Sequence, residues 1–381
     1  MVRLKIGGAR YRPASGTHKL ALAVDFQVKR DDLRECRVVE GEPPELEPGQ
    51  ALLAVDAFGL TTNNVTYAVF GEAMSYWDFF PAEAGWGRVP VWGFANVAAS
   101  THDGLAEGTR LFGYYPPSTH LVVTPDPVDE RGFVDRSPHR ANLPSAYNRY
   151  SRVDADPMYD AAYEDQQMLL GPLFFTSFLI DDFLDENGFF DAGAPVLSSA
   201  SSKTALALAF LLARRQGIEV IGLTSPSRVG FVEGTGVYDR VFPYDAVDSL
   251  PEARSIYVDM CGDAWVRKAV HDHYGESLAH SAVVGATHWD HMGGTEDTED
   301  LPGPNPTFFF APDRLSKRSR DWGPDGLENR MGEAWRPFVE WSTGWLEVTR
   351  ARGPEALEAA YLELLEGRID PATAHVLSLQ G

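Results

Sequence analysis

The feature that most constrains this chain is a regular alternation of strand-like and helix-like segments over residues 194–286. Short runs rich in Val, Ile and Leu are followed by segments in which apolar side chains recur with helical spacing. We predict strands over 194–199, 219–224, 240–243, 255–260 and 280–286, and helices over 203–216, 227–234 and 264–274. Strands that alternate with helices in this way form parallel sheets covered on both faces. The chain is therefore predicted to be α/β, with a doubly wound parallel sheet.

The first part of the chain follows another pattern. Residues up to about 123 contain period-two segments such as 51–58, separated by Gly and Pro clusters, which is typical of β structure. The stretch 124–165 is polar and Pro-rich, and we interpret it as an insertion. Residues 166–190 carry a broad apolar stripe that predicts a buried helix.

The length of 381 residues is sufficient for two domains. Near the end of the chain we predict helix over 328–365, broken at Pro337 and Pro354, and then a short strand at 375–379. The expected division is a β-rich domain with an insertion over 1–165, an α/β domain over 166–312, and a return to the first domain over 313–381.

The charge and the cysteine count exclude several classes of function. The formal net charge is −22, which disfavours binding to nucleic acid or to an anionic membrane surface. Cys36 and Cys261 are too few for a disulfide framework or a thiolate metal cage. The Met1 end has no apolar segment of a secretory signal, and no uninterrupted apolar run is long enough to span a bilayer. We expect a soluble, cytoplasmic protein that acts on a small molecule.

The turn after the first strand of the predicted sheet is the strongest candidate for a ligand site. It consists of small residues that let backbone N–H groups approach a phosphate at a helix N-terminus. The candidate cofactor-binding residues here are Ser199, Ser201, Ser202, Lys203 and Thr204. The glycine fingerprint of dinucleotide sites is absent. Two alternatives stay open: Lys203-Thr204 as the end of a phosphate-binding P-loop that lacks its glycines, or a helix simply capped by serines.

The end of the next predicted strand indicates which dinucleotide would bind. An acidic residue at this position bonds the 2′-hydroxyl of NAD, but the chain has Thr224, Ser225 and, three residues on, Arg228. A guanidinium can hold a 2′-phosphate through paired charge-assisted hydrogen bonds. The pattern therefore favours NADP(H), with a solvated surface role for Arg228 as the alternative.

The order of these segments resembles the medium-chain dehydrogenase/reductase superfamily, in its zinc-free quinone oxidoreductase and enoyl reductase branch. Short matches lie at 59–67, with Asn63-Asn64 and Tyr67, at 107–114, at 237–241 and at 258–262. The zinc signature of alcohol dehydrogenases is absent from 90–96, so no metal is expected. A closer likeness is to a bacterial family labelled as a domain of unknown function, which shares the SSASSKTA, NNVTYA and FFFAP segments.

This resemblance implies a Rossmann domain and a GroES-like, β-rich substrate domain, with the active site in the cleft between them and a homodimeric assembly. It implies hydride transfer in which the protein supplies a proton or a hydrogen bond. The expected catalytic residues are Tyr67, Asn64 and His288; the expected substrate contacts are Asn63, Tyr76 and Trp77; and Cys261 and Gly285 join the cofactor site. For Tyr67 the alternative is a buried tyrosine, and for Asn63-Asn64 a turn.

We predict NADPH-dependent reduction of an enone, an enoyl thioester, a quinone or a related carbonyl compound. The alternatives are a zinc-free alcohol or ketone dehydrogenase, and a nucleotide-binding sensor or partner protein without catalytic activity. A basic cluster, Arg314, Lys317, Arg318 and Arg320, is a candidate site for an anionic substrate or a solvated surface.

Overall fold

The computed structural model describes residues 22–284 and 301–380. They form two compact units. The first unit contains the described residues up to Leu169 and those from Glu347 onward, and the second unit is Leu170–Leu346.

The strands are β1 (Ala23–Lys29), β2 (Cys36–Gly41), β3 (Ala51–Leu60), β4 (Trp86–Gly87), β5 (Val91–Ser100), β6 (Arg110–Tyr115), β7 (His120–Val123), β8 (Pro125–Asp129), β9 (Gly132–Asp135), β10 (Arg149–Arg152), β11 (Ala194–Leu197), β12 (Ile221–Thr224), β13 (Arg240–Pro243), β14 (Ser255–Asp259), β15 (Leu278–Val283), β16 (Thr307–Phe308), β17 (Glu347–Arg352) and β18 (Thr373–Ser378). The α-helices are α1 (Thr62–Val69), α2 (Glu164–Glu186), α3 (Lys203–Leu212), α4 (Val229–Gly234), α5 (Ala264–Tyr274), α6 (Ala311–Ser342) and α7 (Pro354–Leu365).

The first unit is built on β sheets. Over the described residues, a nine-stranded sheet follows the path β17-β18-β3-β5-β6-β10-β9-β8, and β7 also pairs with β3. A three-stranded sheet has the order β2-β1-β4. Strand β3 pairs with β5 in an antiparallel register that shifts twice, as at a β-bulge. The β-rich character expected for this part of the chain is confirmed.

The second unit contains one sheet whose described strands are all parallel, in the order β13-β12-β11-β14-β15-β16. This is the strand order of a dinucleotide-binding Rossmann sheet. The strands all point the same way, but the order in which the chain connects them reverses at β11. Helix α3 is buried from Ala205 to Leu212, since its whole apolar length packs inside the unit. The predicted doubly wound α/β class is confirmed.

The structure corrects three segments of the sequence interpretation. The stretch 124–165, interpreted as an insertion, supplies β8, β9 and β10 to the large sheet, and Phe133 and Tyr150 on these strands are buried. Strand β17 lies within the region predicted as helix and pairs in parallel with β18. Helix α3 ends at Leu212, four residues before the predicted end.

The expected boundary at 312 also differs from the structural one. Helix α6 belongs to the second unit, which extends to Leu346. The reason is aromatic packing: the ring of Phe338 on α6 lies 4.8 Å from Phe174 and 5.4 Å from Phe210. The apolar face of α6 is therefore covered within the second unit.

By length and composition alone, one helix of the described residues, 161–186, could cross a membrane. Its apolar window is 72% buried inside the protein, as in a core helix of a soluble protein. It is weak evidence for a membrane span.

Candidate functional site

The turn between β11 and α3 lies at the carboxyl edge of the sheet, where Rossmann folds bind their ligands. Ser199 has a φ of 51°, in the left-handed region. Its N–H donates to the hydroxyl of Tyr244 at 3.0 Å. The hydroxyl of Ser202 accepts from the N–H of Ala205 at 3.2 Å and caps α3. The serine-capped helix proposed as an alternative is therefore present at Ser202, and Ser201, Lys203 and Thr204 lie half-buried beside it.

A buried carboxylate fixes the neighbouring loop after β14. Asp259 Oδ1 accepts from the hydroxyl of Ser198 at 2.9 Å and from the N–H groups of Cys261 and Gly262 at 3.1 and 2.9 Å. Asp259 Oδ2 pairs with Arg267 Nε at 2.9 Å, and the carboxylate is completely buried. A buried charge that is paired and fully hydrogen-bonded holds both loops in one geometry.

Cys261 lies in this network mainly through its backbone. Its N–H is shared between Asp259 Oδ1 and the hydroxyl of Ser198. Burial raises the pKa of its thiol to about 12, so the side chain is neutral near pH 7. Its predicted place near a cofactor remains a prediction.

The end of β12 carries hydroxyl groups where a NAD-binding sheet would carry an acid. Thr224 is buried, and its hydroxyl donates to that of Ser201 at 3.5 Å. Ser225 and Ser227 lie 3.4 Å apart through their hydroxyl oxygens, and Arg228 ends the short helical turn that follows. The structure thus brings Thr224 and the Ser201 turn together, as the sequence predicts.

These residues fit the phosphates of a dinucleotide. The turn has only small side chains before Lys203, and α3 begins directly after it. Gly222 on β12 is required for close packing beneath the turn, because a Cβ there would lie 3.0 Å from the Cβ of Ala200. The site combines small residues, a helix N-terminus and a basic residue beyond β12. Groups of these kinds bind a phosphorylated ribose and a pyrophosphate.

The first unit contains a compact aromatic group around Tyr67. This tyrosine cluster consists of Tyr67, Tyr76, Phe79, Phe80, Trp92, Tyr114 and Tyr147. The ring of Tyr67 lies 4.7 Å from Tyr76 and 5.5 Å from Tyr114, and the ring of Trp92 lies 5.1 Å from Tyr114. The cluster lies on α1, on β5 and β6, and on the loops that follow α1 and β9.

Tyr67 is buried, with 5% of its surface exposed, and its hydroxyl accepts from Trp92 Nε1 at 3.3 Å. Burial is the main cause that raises the pKa of Tyr67 well above its usual value. The neighbouring Tyr76 adds to the rise, because two phenolates would repel each other. The amide of Asn63, half-buried one turn earlier on α1, opposes part of this rise in the pKa of Tyr67. The phenol is therefore a protonated group near pH 7, as an acid or hydrogen-bond donor needs to be.

Two predicted site residues serve the fold instead. The amide oxygen of Asn64 accepts from the N–H of Thr61 at 2.7 Å and its amide nitrogen donates to the carbonyl of Pro90 at 2.7 Å, so its side chain forms a capping box rather than orienting a substrate. The predicted Asn-Asn turn is the first turn of α1. Trp77 is 2% exposed, and its ring lies so close to Gly71 and Gly87 that a Cβ atom at either glycine would collide with it. Trp77 is therefore a core residue rather than a substrate contact.

Arg140 is a buried residue that sequence reasoning missed. It donates to the carbonyl of Phe79 at 3.2 Å and to the hydroxyl of Tyr150 at 3.0 Å, and it pairs with Asp135 at 3.2 Å. Its guanidinium lies 4.6 Å from the centre of the Phe80 ring. Arg140 thus fixes one side of the tyrosine cluster. An arginine inside a polar, Pro-rich segment interpreted as an insertion gave no signal of burial.

Other missed residues are aromatic. Tyr114 and Tyr147 complete the cluster, and Tyr238 and Tyr244 contact the turn after β11. Tyr114 and Tyr238 lie inside the matched segments 107–114 and 237–241, which were the available signals; Tyr147 and Tyr244 lie in stretches without a motif.

Three members of the basic cluster, Arg314, Lys317 and Arg318, do not present free charges for an anionic substrate. Arg314 and Arg318 are buried and both pair with Asp182, in the latter case at 2.7 Å. Lys317 pairs with Glu186 at 2.6 Å. These ion pairs hold α6 against α2 within the second unit, because Arg314, Lys317 and Arg318 each face an acidic residue of α2, whereas Arg320 is exposed.

Two remaining predictions lie outside the described residues: His288 as a catalytic residue and Gly285 beside the cofactor. Within residues 22–284 and 301–380, no group of three or more His, Cys, Asp or Glu side chains is arranged to hold a metal.

Comparison with known proteins places this geometry in a family. Residues 58–370 match the model of a family described as "Protein of unknown function (DUF2855)". No curated protein sequence matches the chain. Several solved structures have the same fold at low sequence identity.

CurA from Vibrio vulnificus is 14% identical, with a TM-score of 0.56 over 93% of this chain and 99% of that chain. A putative NADPH:quinone reductase from Bacillus thuringiensis is 10% identical, with a TM-score of 0.60 over 95% and 100%. TarJ from S. aureus, solved in complex with NADPH, is 9% identical, with a TM-score of 0.57 over 95% and 100%. The chain belongs to the family described as "Protein of unknown function (DUF2855)" and has the Rossmann and GroES-like fold of the medium-chain dehydrogenases/reductases that its sequence resembles.

Proposed function

We propose that this protein is an NADPH-dependent, zinc-independent oxidoreductase that reduces an enone, an enoyl thioester, a quinone or a related carbonyl compound. The observation that carries the proposal is the turn of small residues at the point where the sheet order reverses, beside a β12 end with hydroxyls and Arg228 in place of an acid. This combination favours a dinucleotide with a 2′-phosphate.

The similar structures support the same cofactor. CurA from Vibrio vulnificus and TarJ from S. aureus are both described in complex with NADPH, and each aligns with more than nine-tenths of this chain. The shared fold carries the strand order and the turn on which nucleotide binding depends.

When bound, the nicotinamide supplies the hydride for reduction. The chain itself binds and orients the cofactor. The Ser199, Ser201, Ser202 and Thr204 turn receives the pyrophosphate at the start of α3, and Lys203 adds a positive charge there. Arg228, with Thr224 and Ser225 beside it, receives the 2′-phosphate.

On the substrate side, Tyr67 is the proposed proton donor. Its raised pKa keeps the phenol protonated, and its oxygen accepts from Trp92 Nε1, so the O–H is the part of the group that would donate to a substrate. Asn63 and Tyr76, both half-buried, are the proposed substrate contacts beside it. His288 remains a second candidate donor.

A substitution tests the donor role. Tyr67→Phe keeps the ring and removes the hydroxyl, and we expect kcat to fall by about 10²-fold or more. Tyr361→Phe is the matched control, because this tyrosine is 1% exposed in the core of the same unit. Equal turnover in Tyr67→Phe and wild type removes Tyr67 from the mechanism.

The cofactor is tested by titrating purified protein with NADPH and NADH and following nicotinamide fluorescence. We expect NADPH to bind more tightly, and Arg228→Ala to weaken NADPH binding by about tenfold or more while leaving NADH binding nearly unchanged. Arg240→Ala, which removes an exposed arginine of β13, is the control. Equal binding of both nucleotides by wild type contradicts the assignment.

A non-catalytic, nucleotide-binding sensor or partner protein is the second candidate. The observation that favours it is the structural use of Asn64 and Trp77, two residues expected at the reaction site. Protein that binds NADPH but oxidises it with no member of an enone, quinone and carbonyl panel supports this candidate. A zinc-free alcohol dehydrogenase differs from the main proposal by its products. We further propose that the protein is cytoplasmic and that it forms a homodimer. Light scattering tests the homodimer directly.

A further inference from the structure

The turn between β11 and α3 contains a backbone conformation that its own sequence does not favour. Ser199 has a φ of 51°. Glycine adopts this left-handed region without steric cost, whereas a residue with a Cβ atom is strained there. Dinucleotide-binding turns use glycine for this purpose. Contacts from outside the turn are therefore needed to hold Ser199 in this conformation.

Tyr244 provides such a contact. The N–H of Ser199 donates to its hydroxyl oxygen at 3.0 Å. Tyr244 directly follows β13, and β12 lies between β13 and β11 in the sheet, so the side chain extends along the carboxyl edge of the sheet. Burial, and then the neighbouring Cys261, raise the pKa of Tyr244, so its hydroxyl is protonated near pH 7.

A second tyrosine holds the next residue of the turn. Tyr238, just before β13, donates from its hydroxyl to the carbonyl of Ala200 at 3.0 Å. Gly222 on β12 leaves room for this contact, since a Cβ there would lie 3.0 Å from the Tyr238 ring. The segments before and after β13 thus hold two backbone groups of the turn between β11 and α3: the carbonyl of Ala200 and the N–H of Ser199.

We propose that Tyr244 is a positioning residue that replaces the glycine fingerprint: its hydroxyl holds Ser199 in the left-handed conformation, so that a serine turn adopts the shape that binds pyrophosphate. The inference rests on the proposed function, because it assigns the turn to a nicotinamide dinucleotide. Tyr244 acts on the cofactor site through Ser199.

A double-substitution cycle tests this inference. Tyr244→Phe keeps the ring and removes the hydroxyl, and Ser199→Gly removes the strain that the hydroxyl offsets. In the Ser199 background, we expect Tyr244→Phe to raise the Kd for NADPH about three- to tenfold. In the Ser199→Gly background, we expect the same change to raise the Kd less than about twofold, because glycine needs no partner to adopt this φ.

A ligand-free measurement accompanies the titration. We expect Tyr244→Phe to lower the thermal unfolding midpoint by roughly 2–4 °C in the Ser199 background, and by clearly less with glycine at this position. Tyr274→Phe is the matched control: its buried hydroxyl has no hydrogen-bond partner among the described residues, and α5 carries it to the opposite end of that helix from Asp263. We expect Tyr274→Phe to leave the Kd for NADPH unchanged in both the Ser199 and the Ser199→Gly backgrounds.

Each outcome decides the inference. A Tyr244→Phe effect that is smaller in the glycine background supports it. An equal effect in both backgrounds, or no effect in either, overturns it. If wild-type protein binds neither NADPH nor NADH, the proposed function fails. The thermal cycle then decides separately whether Tyr244 holds the turn.

Discussion

The turn after β11 and the tyrosine cluster are held by different forces. Hydrogen bonds fix the turn: Asp259 accepts from Ser198 and from two backbone N–H groups, and Tyr244 accepts from Ser199. Ring packing fixes the tyrosine cluster, in which Tyr114 is completely buried. Side chains at the sheet edge are therefore placed by strand order and hydrogen bonds, whereas those in the aromatic group are placed by shape and volume.

The largest expected effect removes aromatic volume in the first unit. Trp77→Ala is expected to lower the free energy of unfolding by about 3–5 kcal/mol, because the indole fills the space between Gly71 and Gly87. Urea unfolding measures the change. Trp265→Ala is the control, since this tryptophan is 61% exposed. Similar losses in the two variants would show that packing around Trp77 is not what stabilises this region.

The next effect breaks the hydrogen-bonded loop of the second unit. Asp259→Asn is expected to lower the free energy of unfolding by about 3 kcal/mol, because the buried guanidinium of Arg267 loses its counter-charge. We also expect it to weaken NADPH binding, since Ser198 loses its carboxylate acceptor. Asp272→Asn, on the exposed face of α5, is the control for urea unfolding and nucleotide titration. Unchanged NADPH binding in Asp259→Asn would separate this network from the nucleotide site.

The smallest effect distinguishes two adjacent asparagines of α1. Asn64→Ala is expected to cost about 1–2 kcal/mol of unfolding free energy, because the capping box and the bond to Pro90 are lost. Asn63→Ala is expected to change stability by less than about 0.5 kcal/mol, as usual for positions outside the core, and to raise KM instead. Unfolding and steady-state kinetics on both variants check this. The reverse pattern would place Asn64 at the substrate and Asn63 in the fold.

The parts of the molecule that follow general rules could be predicted from the sequence. Alternation of apolar strands with helices indicated the parallel sheet, and strands at 240–243 and a helix at 264–274 have the predicted bounds. The sheet order then brings the Ser201 turn beside Thr224, because adjacent parallel strands end at the same edge.

Other parts depended on tertiary contacts that local patterns do not encode. Strands β8 to β10 are short and rich in polar residues, so they carry no period-two signal, and they join the sheet because β10 pairs with β6, β9 with β10 and β8 with β9. Arg140 is buried only because Asp135 and the Phe80 ring surround it. The aromatic-rich run around Trp77 is compatible both with a substrate pocket and with a core. The close packing of two glycines against the Trp77 ring indicates the core.

The most direct test of the central claim places a negative charge in the turn. Ser201→Asp puts a carboxylate where the pyrophosphate is proposed to bind, and Ser145→Asp adds the same charge to an exposed position of the first unit. Nicotinamide fluorescence titration with NADPH measures both variants beside wild type. We predict that Ser201→Asp weakens NADPH binding by more than about tenfold, because like charges at the helix N-terminus repel, and that Ser145→Asp leaves it unchanged. Equal NADPH affinity in all three proteins would contradict the assignment of this turn to a nucleotide.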